Sequence, residues 1–448
     1  MAKRRPSTTV IALGIFALFI VYAIITQRSL YADGSYCFLR VLETGTFTEI
    51  IDCRSFATYL FQLPVVVAIK LGVANIHWLS FAFGIGCLCS WPVAMFLCYR
   101  MAPQHFWLVV LACAAGYLNA AFMAVGEHIV AHAFFWPALF AILFVRPLTP
   151  FAAASLLVSA IILMRSYESL FFLAPPMIGL LLWRIVSGKE RPWQLALLGM
   201  AAVCLLISIY IAWIGIKYPN VANYGGFKSS LLSQLQSPTW TLKMSFFWAI
   251  LMLAALNSRM AALLRRPVGI VLIVLVIMVW GAYPLLSPEH LDPGSQYDCR
   301  FLDLIVPLSL IPVAVVLAWR PAWLSSKIPD LARLSAMILI AQSFWHLSAT
   351  YQWENHVHDW EGRLTTTQGP IFPSTYKGFD NPDFSWTNPS LSLLIGPVRV
   401  QALMMPAHVE DWQPFDPFKP KTFPDLRRYG VDYTEYFDAL LSKKLIHE

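Results

Sequence analysis

The sequence predicts an all-α polytopic membrane protein of about eleven transmembrane helices, with a small C-terminal α+β domain outside the membrane. Three observations predict it. Of 448 residues, 58% are hydrophobic and only 13% charged, against about 25% charged in a soluble domain. Apolar runs of about 20 residues recur along most of the chain, each long enough to cross a bilayer and obliged by lipid to be helical. Beyond about Tyr351 the composition turns to Asp, Pro, Trp, Tyr and Lys. The net charge of +7 is no sign of nucleic-acid binding, because the basic residues sit mostly in short turns between apolar runs, where they orient the chain.

The first run, VIALGIFALFIVYAII, follows Lys3, Arg4 and Arg5. It is long for a signal peptide and lacks a convincing small-x-small site after it, so an uncleaved first helix is expected. Spans are expected near 10–27, 78–98, 105–122, 129–146, 150–165, 169–186, 194–215, 240–257, 268–286, 302–319 and 331–349. Residues 55–72, SFATYLFQLPVVVAIKLG, are broken by Pro64 and carry Lys70. They are expected as an interfacial or re-entrant helix pair, since the basic pattern then works. With the N-terminus cytoplasmic, Arg100, Arg146, Arg184, Arg265 and Arg320 all fall in inner turns, as positive charge should. An odd number of spans puts the C-terminus outside. Residues 1–350 then form the membrane domain with a large first outer loop (28–77), and 351–448 the outer domain. In that domain PSLSLLIGPVRVQALMM (389–405) is expected to supply buried strands. No internal repeat is visible, which gives an inverted-repeat transporter no support.

The chemistry collects on the outer side. The first outer loop opens with YADGSYCFLRVLETGTF, and its Asp33 lies within a few residues of a span end. Asp33 is either a turn or cap residue, which Asp-Gly favours, or a general base whose partial desolvation lifts its pKa towards neutrality. The second outer turn, VGEHIVAH, carries Glu127 and His128, either as a solvated turn or tucked under the first loop. The third, MRSYES, carries Arg165, Tyr167 and Glu168. Arg165 and Glu168 are spaced to pair on a helix end; alternatively Glu168 assists the base or contacts a sugar hydroxyl while Arg165 holds a phosphate. The fourth contains Lys228, and the fifth Tyr297 and Arg300. Arg300 is either a snorkelling anchor or a phosphate fork. His128 and His290 make no recognisable metal motif, and no metal site is expected. Five of eight cysteines fall in apolar runs as packing residues. Cys37 and Cys53 lie in the first outer loop, where an oxidising compartment would let them pair.

These features resemble the GT-C superfamily of integral-membrane glycosyltransferases, which includes protein O-mannosyltransferases and oligosaccharyltransferase catalytic subunits. The resemblance rests on Asp33 in YADGSYCFLRVLETGTF, on the amphipathic stretch FATYLFQLPVVVAIKLG, and on the layout of spans and outer tail. Many members carry paired acids at the key position; here Asp33 is followed by Gly34. The resemblance implies a membrane transferase with a polyprenyl-phosphate-linked sugar as donor and a glycan, lipid or protein hydroxyl as acceptor; the compact chain, without long loop insertions, points to a bacterial inner membrane. The resemblance also implies Asp33 as the base of an inverting reaction, with Glu127 or Glu168 a possible second carboxylate. Arg165, Lys228 or Arg300 would neutralise the departing phosphate. Aromatics such as Tyr31, Tyr36, Tyr167 and Trp353 would stack on sugars. No nucleotide-binding motif is present. Three other classes compete: a lipid or glycan transporter or flippase, an O-antigen-type polymerase or ligase, and a non-enzymatic partner in an envelope complex. The span centres lack Asp, Glu, Lys and Arg, which argues against ion coupling. The large loop comes early rather than late, which argues against the polymerase class.

Overall fold

A computed structural model describes residues 8–49, 51–118, 126–187, 190–218, 240–257, 266–286, 296–372, 387–405 and 418–443. The described chain is overwhelmingly helical. Helix α1 (Thr8–Ile25) leads through a 3-10 turn (Arg28–Leu30) into α2 (Asp33–Thr44). Then come α3 (Ser55–Lys70), α4 (Ile76–Leu88), α5 (Ser90–Met101), α6 (Trp107–Ala112, continued by a π-helical turn), α7 (Glu127–Phe144), α8 (Pro150–Leu163), α9 (Leu170–Val186) and α10 (Pro192–Lys217). They are followed by α11 (Trp240–Leu256), α12 (Pro267–Leu286), α13 (Gln296–Trp319) and the long α14 (Ile328–Thr366). The tail contributes β1 (Gly369–Ile371), α15 (Asn388–Ile395), β2 (Ala402–Met404) and α16 (Thr434–Ser442).

Helix occurs in each of the eleven apolar stretches. Among the described residues three helices, α1, α7 and α10, are long and apolar enough to cross a membrane, or four if α4 and α5, bent by 45°, form one broken span. Helix α1 is apolar all round. It buries Ala12, Phe16, Phe19 and Ala23 against α14 while Val10, Leu18 and Val21 face outward, the pattern of a helix between protein and lipid. Helix α7 is the opposite case, with 89% of its residues buried against 33% in α1; α3, α5, α8 and α9 pack around it. Its C-terminal end is closed by the buried Arg184, which donates to the carbonyls of Ala141 (2.7 Å), Ile142 (2.9 Å) and Val145 (2.6 Å) and pairs with Glu190. A cation there satisfies carbonyls that have no partner within the helix.

Residues 55–70 form one helix, with Pro64 inside it, rather than the helix pair expected from the sequence. Its first amides, Phe56 and Ala57, donate to the Arg165 carbonyl, so the turn before α9 seats the start of α3. Gly86 of α4 lies flat on the Phe61 carbonyl of α3, where a Cβ would overlap it. That glycine lets the two backbones touch.

In the tail, the expected strands of 389–405 are only partly strand. Asn388–Ile395 is helix, and the buried Ala402–Met404 pairs in parallel with Gly369–Ile371, Gly369 opposite Ala402. Pro389 at the first helical turn favours the helix, and a short apolar run carries no period that separates the two forms. Helix α14 runs unbroken through residue 350, the expected domain boundary, to Thr366.

Candidate functional site around Asp33 and Arg54

Two adjoining clusters lie where α1, α2, α3 and the start of α7 meet. The first is the junction between α1 and α2. Arg28 is buried there and donates to Thr350 Oγ1 (2.7 Å) and to the His346 carbonyl (3.2 Å) on α14, and it meets His346 Nδ1 at 3.0 Å. His346 Nε2 lies 2.6 Å from the Leu118 carbonyl. That contact requires an Nε2–H, which leaves Nδ1 to accept from the guanidinium. Burial lowers the Arg28 guanidinium to about 10, still a cation at neutral pH. The Trp353 indole donates to the Thr26 carbonyl at 3.0 Å, so α14 grips the junction twice. Just after these anchors Ala32 takes φ 49° and ψ −129°, a region that costs a non-glycine residue about 1–3 kcal/mol. Asp33 follows as the first residue of α2; Ala32, not Asp33, holds the capping position. A carboxylate in the first turn is favoured by the positive end of the helix.

The second cluster is built on Arg54, from the 3-10 turn before α3. Its guanidinium clasps Glu168 through Nε (3.0 and 3.1 Å) and Nη2 (2.8 Å). It reaches Glu127 Oε2 at 3.5 Å and stacks 4.7 Å above the Tyr167 ring. Burial alone would lower its pKa; Tyr167, Glu127 and Glu168 outweigh that and raise it. Alongside, Arg165 pairs with the well-exposed Asp52 at 3.1 Å. His128 packs 5.6 Å from Tyr167. His132 donates from Nδ1 to the His128 carbonyl (2.7 Å), so its Nε2 accepts from Ser169 Oγ at 3.2 Å.

Cys37 lies buried on α2, one turn after Asp33. Its thiol is pushed up by burial first and then by the charges of both Asp33 and Glu127. No family model, curated protein or solved structure matches this chain. What the site does is therefore read from its own geometry.

Of the residues expected from the sequence, Glu127, His128, Arg165, Tyr167 and Glu168 come together around Arg54, while Asp33 stands at the start of α2 beside the Arg28 junction. Lys228 lies outside the described residues, as do the side chains of Tyr297 and Arg300 on α13. The anticipated pairing of Arg165 with Glu168 does not form: Glu168 belongs to Arg54 and Arg165 to Asp52. Nor do Cys37 and Cys53 pair. Both are free thiols, and Cys53 Sγ lies 3.7 Å from Glu168 Oε1. Among the described residues no group of His, Cys, Asp or Glu is arranged to hold a metal. Sequence reasoning missed Arg54. The available signal was two lone acids, in the two short turns VGEHIVAH and MRSYES, with no local cation of their own apart from Arg165.

Proposed function

We propose that this protein is a membrane glycosyltransferase that moves a sugar from a polyprenyl-phosphate donor to an acceptor hydroxyl at the outer face of a bacterial inner membrane, with inversion at the anomeric carbon. The observation that carries this reading is the seating of Asp33. A carboxylate opens a juxtamembrane helix directly after the first apolar helix, behind an alanine held in a strained conformation. Strain retained next to an acid is a mark of functional geometry.

Asp33 takes the proton of the acceptor hydroxyl. The freed oxygen attacks the anomeric carbon, the bond from that carbon to the phosphate oxygen breaks, and polyprenyl phosphate leaves with the electron pair. Arg165 is suited to meet that phosphate, because its partner Asp52 is 84% exposed and such a pair exchanges at little cost. Lys228 and Arg300 are further candidates for the same charge, and Tyr297 for a sugar contact. Arg54 is too firmly held by two carboxylates to serve; it fixes Glu127 and Glu168, which then face sugar hydroxyls, with Tyr167 and His128 as the adjoining wall.

The test is glycan and glycolipid profiling of cells carrying wild type, Asp33→Ala or Asp33→Asn at matched protein levels. Removal of a general base costs about 10²–10⁴-fold, so one modification is expected to vanish in both variants. Both variants keeping the full wild-type profile would reduce Asp33 to a turn residue and end this mechanism.

A further inference from the structure

We propose that the C-terminal segment is a clamp on α2 and that Arg428 is its positioning residue, acting on Asp33 through the helix. This deepens the proposed function and rests on Asp33 being the base. The C-terminal end of α2 leaves carbonyls without helical partners. The Arg428 guanidinium donates to those of Leu42 and Glu43, and the Tyr429 hydroxyl to that of Leu42 at 3.2 Å. A cation is the favoured partner at that pole of a helix. Gly45 ends α2 at φ 67°, its amide donating to the Val41 carbonyl. A Cβ there would lie 2.9 Å from Arg428 Nη1, so glycine is what lets the guanidinium close on the helix end.

The other end of α2 is also held from the tail. Buried Ser35, two residues after Asp33, has its Oγ 3.5 Å from the Thr387 carbonyl and 3.1 Å from that of Ala32. Helix α15 packs on α2 directly. One face of α2, from Gly34 to Leu42, is therefore buried, and tail residues touch it near Ser35 and at Leu42. A helix of 12 residues is a stiff rod of about 18 Å. Fixing its far end fixes the direction in which its first residue points, and tilts of this kind are what misplace a catalytic group. A segment serving only as a tether would not supply both grips.

Cys37 lies between the grips, 2% exposed and free, and reports on the clamp. We would label native membranes with N-ethylmaleimide, quantify Cys37 by peptide mass spectrometry against labelling in denaturant, and profile glycans from the same cells. Arg428→Ala is expected to label at least tenfold faster than wild type and to lose the modification. Arg428→Lys, which keeps the charge but not the planar fork, is expected to fall between them. Asp33→Asn, which removes one of the charges that push the Cys37 thiol up, is expected to label somewhat faster than wild type but well short of Arg428→Ala, while losing the modification. Labelling of Arg428→Ala at the wild-type rate overturns the clamp. Faster labelling with an intact glycan profile overturns its link to function. If Arg428→Ala does not accumulate in the membrane, Tyr429→Phe, lacking one hydroxyl, takes its place; about threefold acceleration supports the clamp and none overturns it. An intact profile in Asp33→Asn sinks the base assignment alone, and the labelling rates still decide the clamp.

Discussion

At the scale of single residues, Arg54 determines what two glutamates are for. Without it, Glu127 and Glu168 would be two carboxylates from different turns facing each other with little water between them. Breaking a buried charge pair by removing one partner typically costs about 3–5 kcal/mol. We therefore expect Arg54→Ala to lower the melting temperature of the purified protein sharply. Arg54→Lys, which cannot fork across Glu168 and reach Glu127 together, should recover only part of the loss; equal stability of all three proteins would contradict this role. Cys53 gives a pH signature. Burial first, and Glu168 next, push its thiol up to about 11. The unfolded thiol ionises near 8.5, so above that pH the unfolded chain releases a proton that the folded chain keeps. Stability is then full below about 8.5 and declines as pH rises towards 11. Cys53→Ser should flatten that decline in thermal melts; an unchanged slope would mean the thiol is not held neutral by the fold. The acids of the site were legible as lone charges in short apolar-flanked turns. Arg54 was not, because its partners lie 73 and 114 positions away, and pairing at that distance is fixed only by the packing of α3 beside α7.

At the scale of elements, apolar run length located the helices well, because lipid leaves backbone no alternative. It could not locate their polar continuations. The apolar part of α14 ends near Ala349, yet the helix continues to Thr366 through YQWENHVHDWEGRL, since hydropathy follows solvent rather than helix. Nor could it see that α3 passes through Pro64. The contact between α3 and α4 supplies the strictest test of packing. A methyl group at Gly86 has nowhere to go but into the Phe61 carbonyl, and overpacking of this kind costs about 1–3 kcal/mol. Gly86→Ala should reduce the yield of folded protein in the membrane, and Gly86→Val should abolish it. Yields equal to wild type for both would mean the helices do not touch.

At the scale of the whole molecule, α14 spans 39 residues, or about 58 Å, nearly twice the hydrocarbon core of about 30 Å. If its apolar half lies in the bilayer, its polar half stands clear of it and carries the tail towards α2 without a hinge. Eleven crossings would place the two chain ends on opposite sides. Alkaline phosphatase fused after Glu448 should be active in a bacterial host, and green fluorescent protein fused before Met1 should fluoresce. Both ends reporting the same side would remove one span or add one.

The burial of α7 has a consequence for how the protein is made. A segment that carries Glu127, His128 and His132 and shows so little of itself at the protein surface is poorly suited to enter a bilayer alone. It follows that α7 should wait at the translocon exit until α8 and α9 emerge to enclose it. Ribosome-arrested chains ending soon after Val145 should leave it open to extraction or proteolysis, while chains long enough to expose α9 should not.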